Sequence, residues 1–170
     1  MIERLVLVGF MCSGKSTVGR LVADRLDWDF IDFDGAIERD LGLRIAEIFR
    51  DHGERYFREL EAELTREVTG RRDVVLAPGG GWITQPELVE QLRPNSLVVW
   101  LRARPETVLE RHLTQLTVQR PLLAVGDPLA AIRSILAARA PLYGEADEAV
   151  DTDDRDPGEV AAEIVALLDR

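Results

Sequence analysis

One cysteine, one lysine and no long apolar run set the first limits on this 170-residue chain. The single cysteine, Cys12, rules out an internal disulfide and any metal centre built from several thiolates. No apolar stretch comes near the roughly 18–20 residues needed to cross a membrane. The first residues run directly into an apolar strand pattern, so no leader is expected and a cytoplasmic location is. Positive charge is also short, with a formal net charge of −10. Nucleic acids and anionic membranes are recognised through clustered positive charge, so neither is expected as a partner. A small anionic substrate stays open, because a few arginines in a cleft can dominate the local field behind an acidic exterior. The length suits one domain, residues 1–170, and 46% hydrophobic residues suffice for a core.

The lone lysine is the most informative residue. The other twenty basic side chains are all arginine. Lys15 sits in Gly9-Phe10-Met11-Cys12-Ser13-Gly14-Lys15-Ser16-Thr17, which follows the Gly-x-x-x-x-Gly-Lys-Ser/Thr pattern of a phosphate-binding loop. Glycines let backbone N–H groups turn inward around phosphate oxygens. Lys15 reaches the β- and γ-phosphates and the Ser16 hydroxyl ligates Mg²⁺ in such a loop. The context agrees. Leu5-Val6-Leu7-Val8 before it reads as a buried parallel strand, and Val18, Leu21, Val22 and Leu26 after it recur at helical spacing.

Strands and helices alternate along the rest of the chain. Strands are expected at Asp29–Phe33, Val74–Ala77, Leu97–Leu101 and Glu148–Val150. Helices are expected at about Ala36–Leu41, Ile45–Asp51, Glu54–Thr69, Pro86–Leu92 and Pro105–Arg111, then after the caps Asp127-Pro128 and Asp156-Pro157. Residues 112–126 have no period and read as a mobile lid. The pattern predicts an α/β fold, a three-layer sandwich with a five-stranded parallel sheet flanked by helices. Ligands of such sheets bind beyond the carboxyl ends of the strands. Here those ends carry the phosphate loop, Asp32-Phe33-Asp34 and Gly79-Gly80-Gly81.

Asp32 and Asp34 share a face if the strand runs through both. One would then serve Mg²⁺ and the other an acceptor hydroxyl, although Asp34 would also suit a helix cap. The three glycines fit a close backbone approach to a ligand, or a simple turn. Arg58 fits an anion site, or pairing with Glu54 and Glu61 on a solvated helix face. Arg139 continues the stripe Ile132, Ile135, Leu136 and so points inward, unless it serves a helix C-terminus. Two arginine forks would clamp a carboxylate. Arg111 and Arg120 flank the lid, where closure would bring arginine to a transferring phosphoryl group; both also suit a plain surface. Cys12, near Lys15 and a helix N-terminus, is either a reactive thiol or a small residue filling space.

Taken in order, these segments resemble the shikimate kinase family, in the nucleoside-monophosphate-kinase-like branch of phosphate-loop folds. The match runs through Gly9–Arg20, Asp32-Phe33-Asp34, Gly53-Glu54 with Phe57-Arg58 and Glu61, the triple glycine, Arg120-Pro121-Leu122-Leu123 and Arg139-Ala140-Pro141-Leu142-Tyr143. Two stretches depart from the family pattern: Cys12-Ser13 in the loop, and 112–119, which has no arginine or lysine. The resemblance implies Mg²⁺-dependent transfer of the γ-phosphoryl group of ATP to the 3-hydroxyl of shikimate, on the route to chorismate and the aromatic amino acids. It implies Lys15, Asp34 and Arg120 as catalytic residues. Cys12, Ser13, Gly14, Lys15, Ser16, Thr17, Arg111, Arg120 and Arg155 would bind nucleotide. Asp34, Arg58, Gly79, Gly80, Gly81 and Arg139 would bind shikimate, within a helical segment at about 34–61 and the strand ends. Ser16 and Asp32 would serve the metal. ATP and shikimate are the expected partners of a monomer. A kinase for another small hydroxy acid such as gluconate, or a sensing module without turnover, stays open at this point.

Overall fold

The computed structural model describes residues 1–115 and 126–169. Five strands, β1 (Arg4–Val8), β2 (Asp29–Asp32), β3 (Val74–Ala77), β4 (Ser96–Arg102) and β5 (Glu148–Asp151), form one sheet in the order β2-β3-β1-β4-β5. All four pairings are parallel, as the alternating pattern predicts. The helices are α1 (Lys15–Leu26), α2 (Phe33–Leu41), α3 (Ile45–Val68), α4 (Pro86–Leu92), α5 (Pro105–Thr114), α6 (Pro128–Tyr143) and α7 (Pro157–Leu168), with a short 3₁₀ turn at Trp82–Thr84.

β1 is buried along its whole length, and its side chains alternate between two cores. Leu5 and Leu7 pack with Val18, Val22, Val160 and Ile164 on the α1/α7 side. Val6 and Val8 pack with Phe33, Val68, Leu92 and Tyr143 on the other side. Gly19 lets α1 lie close to the sheet, since a Cβ there would come within 2.6 Å of the Phe30 ring. Asp127 and Asp156 cap α6 and α7 by accepting from Ala130 N (3.0 Å) and Gly158 N (2.7 Å), with proline in the first turn of each.

Several boundaries differ from the sequence expectation. β2 stops at Asp32 because the Asp32 carboxylate accepts from Gly35 N and starts α2 at Phe33. The two helices expected on either side of Gly53 run on as α3, broken only where Gly53 takes φ 83°, a conformation open to glycine. α5 continues to Thr114, so the aperiodic segment at 112–126 begins as helix. Residues 116–125 of that segment, Arg120 among them, lie outside the described residues.

At the opposite edge of the sheet, Arg4 is buried and, among the described residues, donates to uncharged oxygens. It bonds Ser96 Oγ (3.0 Å), Thr69 O (2.8 Å), Arg71 O (3.0 Å) and Pro94 O. These carbonyls close the C-terminal ends of α3 and α4, where helix dipoles favour a cation. Arg4→Met should therefore strand several buried acceptors and cost about 3 kcal/mol. Urea unfolding should show that loss, with the carboxyl ends of the strands unaltered.

Candidate active site

The phosphate loop joins β1 to α1 and depends on left-handed backbone. Gly9, Cys12 and Gly14 have φ of 154°, 59° and 98°. A Cβ at Gly9 would meet Leu101 O at 2.6 Å, so only glycine fits there. Gly14 caps α1 and leaves the first helical N–H groups facing the loop, a ready anion site. Lys15 Nζ donates to Gly9 O (2.8 Å) and Phe10 O (3.0 Å) across the loop. Ser16 Oγ donates to Asp32 Oδ2 (2.5 Å).

A cleft of about 870 Å³ opens over this loop. Its lining brings together Cys12, Gly14, Lys15, Ser16, Thr17, Asp32, Asp34, Arg58, Gly79, Gly80, Gly81 and Arg139. Asp34 reaches it from the first turn of α2 and not from an extended strand, so neither the shared strand face nor the role of helix cap holds; Asp32 is the cap. Other candidates lie outside the lining. Ser13 is fully buried beneath the loop. Arg111 ties α5 to the loop and to β5, donating to Cys12 O (3.0 Å) and Thr152 O (2.9 Å). Arg155 donates to Asp151 O (3.0 Å) and pairs with Glu163 (2.8 Å).

The triple glycine packs backbone against backbone. A Cβ at Gly80 would come within 3.1 Å of Met11 N, so this turn lies directly on the phosphate loop. Tyr143 Oη donates to Gly80 O (2.5 Å) and holds the turn from α6. Burial pushes the Tyr143 hydroxyl up to about 12, against the pull of nearby Arg139, so it remains a donor. Arg139 is buried, with its guanidinium 5.9 Å from the Phe10 ring centre.

Arg58 does pair with Glu54 (3.0 Å) and Glu61 (2.6 Å), but the face is not solvated. Its side chain is 17% exposed and that of Glu61 is 0% exposed. Glu61 also accepts from Gln85 Nε2 (3.1 Å). Trp82 Nε1 donates to Thr65 Oγ1 (3.0 Å), which donates to Glu61 O (2.7 Å). Gln85, Trp82 and Tyr143 escape a sequence reading because their partners are distant in the chain. Glu61 carried a signal, its i+3 spacing from Arg58, but not its burial.

Among the described residues no group of three or more His, Cys, Asp or Glu side chains is arranged to hold a metal. The Ser16–Asp32 oxygen pair beside the loop fits Mg²⁺ nonetheless, since that ion takes one or two protein oxygens plus water and phosphate.

A parallel sheet in this order, a lysine-bearing phosphate loop and an arginine-lined cleft beside it define a phosphate-loop kinase of the nucleoside-monophosphate-kinase-like class. The shikimate kinase family profile matches residues 11–169. The shikimate kinase of Moorella thermoacetica is 46% identical over 164 residues, 96% of this chain and 93% of that protein. That of Caldanaerobacter subterraneus subsp. tengcongensis is 44% identical over 163 residues, 96% of this chain and 94% of that protein. The structure of shikimate kinase from Acinetobacter baumannii in complex with shikimate matches with a TM-score of 0.92 at 38% identity, covering 99% of this chain and 93% of that one. A gluconokinase from Sinorhizobium meliloti, at 20% identity and a TM-score of 0.65 over 99% of this chain and 92% of its own, shares the fold alone. The chain belongs to the shikimate kinase family, whose members are ATP-dependent kinases.

Two predictions follow from backbone geometry. A methyl group at Gly81 would lie 2.2 Å from Arg58 Nη2. Gly81→Ala should displace Arg58 and raise the KM of the acceptor about tenfold, as loss of one charged hydrogen bond would, with the KM of ATP little changed. Cys12 holds a left-handed φ without being glycine. Cys12→Gly should relieve about 1 kcal/mol of backbone strain, read as a higher urea midpoint.

Proposed function

We propose that this chain transfers the γ-phosphoryl group of ATP to the 3-hydroxyl of shikimate. The observation that carries the reading is a single cleft in which Arg58, Arg139 and Asp34 face the phosphate loop across the triple glycine. In it Arg58 and Arg139 hold the acceptor carboxylate, and the backbone of Gly79–Gly81 supports the ring. The arginine pair, the triple glycine and the acidic pair together favour a rigid cyclic acid over an open-chain acid such as gluconate.

Asp34 orients the acceptor hydroxyl and takes its proton as the oxygen attacks the γ-phosphorus. The bond from that phosphorus to the bridging oxygen breaks, and ADP leaves with the electron pair. Lys15 exchanges its loop carbonyls for phosphate oxygens, and the N–H groups of Gly14 to Thr17 meet the charge that spreads onto them. Ser16 and Asp32 would hold Mg²⁺, which when bound offsets phosphate charge. Cys12 and Ser13 complete the nucleotide loop. Arg120 reaches the phosphates from the lid, and Arg111 and Arg155 border the adenine. The protein acts as a monomer in the cytoplasm. Among the described residues no helix is long and apolar enough to cross a membrane.

ADP release with Mg-ATP should require shikimate, with neither gluconate nor buffer alone replacing it. Phosphorus NMR should find the new ester on the 3-oxygen. Turnover with gluconate alone, or with no acceptor at all, would refute the assignment. Lys15→Ala should keep the circular dichroism of the wild type and lose about 10²–10³-fold in turnover, the effect of one preorganised donor at a transferring group.

A further inference from the structure

Glu61 is a fully buried acid one turn from the arginine that faces the acceptor. Its two oxygens differ. Oε2 accepts from Arg58 Nη1 (2.6 Å) and Gln85 Nε2 (3.1 Å). Oε1 is shielded from solvent and has no hydrogen-bond partner among the described residues. A methyl group on Gly79 would come within 2.8 Å of that oxygen and 3.2 Å of Asp34 Oδ1. The Glu61 and Asp34 carboxyls therefore face each other across one glycine of the acceptor turn.

We propose that Glu61 takes up a proton when the acceptor's carboxylate docks on Arg58, and that Gln85 is the positioning residue that sets the pH at which it does so. This rests on the reading of an anionic acceptor held by Arg58. Before docking, Arg58 is the counter-charge of Glu61. A carboxylate arriving on Arg58 shares that charge and adds a second anion a few ångströms away, which favours the neutral form of a buried acid. The bare Oε1 is where the proton, drawn from solvent, goes.

The other charged groups around Glu61 are accounted for. Arg58 is the guanidinium paired with Glu61, and Arg139 lines the same cleft. Glu54 acts through Arg58, and Asp34 on α2 adds negative charge. Burial pushes the Glu61 carboxyl up to about 7, Asp34 adds to this, and Arg58 and the Gln85 amide oppose it. The free protein is thus near the midpoint of the group at neutral pH.

The sign follows from linkage. The acceptor raises the pKa of Glu61, so the affinity gained through protonation is complete below the free value and is lost as pH rises through the value in the complex. For a shift on the order of one unit, acceptor affinity falls about fivefold between pH 7 and pH 9.

The test is titration calorimetry of the nucleotide-free protein with shikimate, in pairs of buffers that differ in ionisation heat, from pH 6 to pH 9. Leaving nucleotide out removes phosphate protons from the balance. Wild type should take up about half a proton per site near pH 7.5. E61Q should take up close to none. Q85M, which keeps the volume and removes the donor, should move the uptake maximum upward by about half a unit, the scale of one neutral hydrogen bond. Zero uptake in wild type, undiminished uptake in E61Q or an unmoved maximum in Q85M would each overturn the proposal. Should E61Q fail to fold, Q85M decides alone. If shikimate gives no binding signal in wild type at any pH, the acceptor reading falls and takes this proposal with it; binding without proton uptake overturns only the proposal.

Discussion

Placing β1 between β3 and β4 is the constraint on which the site depends. Both neighbours bond to it in parallel register, so the loops leaving the carboxyl ends of β1 and β3 emerge side by side. That brings Gly80 against the backbone of Met11, with no side chain between the phosphate loop and the triple-glycine turn. Two substrates bound on those loops would be held close enough for direct transfer. Leu101 O, at the end of β4, presses on the other flank at Gly9. The phosphate loop is thus wedged between its neighbours, and its left-handed residues are held by packing as well as by local preference.

An acidic protein here gathers positive charge into one cleft. The whole chain carries a formal net charge of −10, while Lys15, Arg58 and Arg139 converge on one cleft. Each cation has a local support. Lys15 rests on loop carbonyls, Arg58 on Glu54 and Glu61, and Arg139 on the Phe10 ring. The supports differ in cost. A carbonyl or a ring brings no full charge to bury, whereas Glu61 does, and desolvation of a carboxylate is expensive. Burial accordingly pushes the Glu61 carboxyl toward its neutral form. Arg4 shows the same economy at the far edge of the sheet, where dipoles and carbonyls stand in for a carboxylate partner.

Much of this was legible in the sequence. Apolar runs marked β1, β3 and β4, and the limits of α1, α4 and β3 could be read from periodicity, proline and glycine. The phosphate loop could be read because its chemistry is local: glycines, lysine and serine act through neighbours in the chain. Errors gathered where a side chain chose between two partners. Asp34 read as a cap of α2, but Asp32 takes that place, and its bond to Gly35 N ends β2 there. Arg58 and Glu61 looked like a solvated pair because helix spacing tells which residues meet and not what covers them.

By itself the sequence determined the alternation of strands and helices, the nucleotide loop and the identity of the charged residues available to a site. Local propensity and spacing suffice for these, since each involves residues a few positions apart. The tertiary structure decided which of those residues share a cleft, that Glu61 is buried, and that Gln85, Tyr143 and Trp82 bond to Glu61, Gly80 and Thr65 beside it. Those outcomes depend on contacts between residues far apart in the chain, such as Gln85 with Glu61 and Tyr143 with Gly80. They come into being only when the sheet order and the packing of α3 and α6 against it are set.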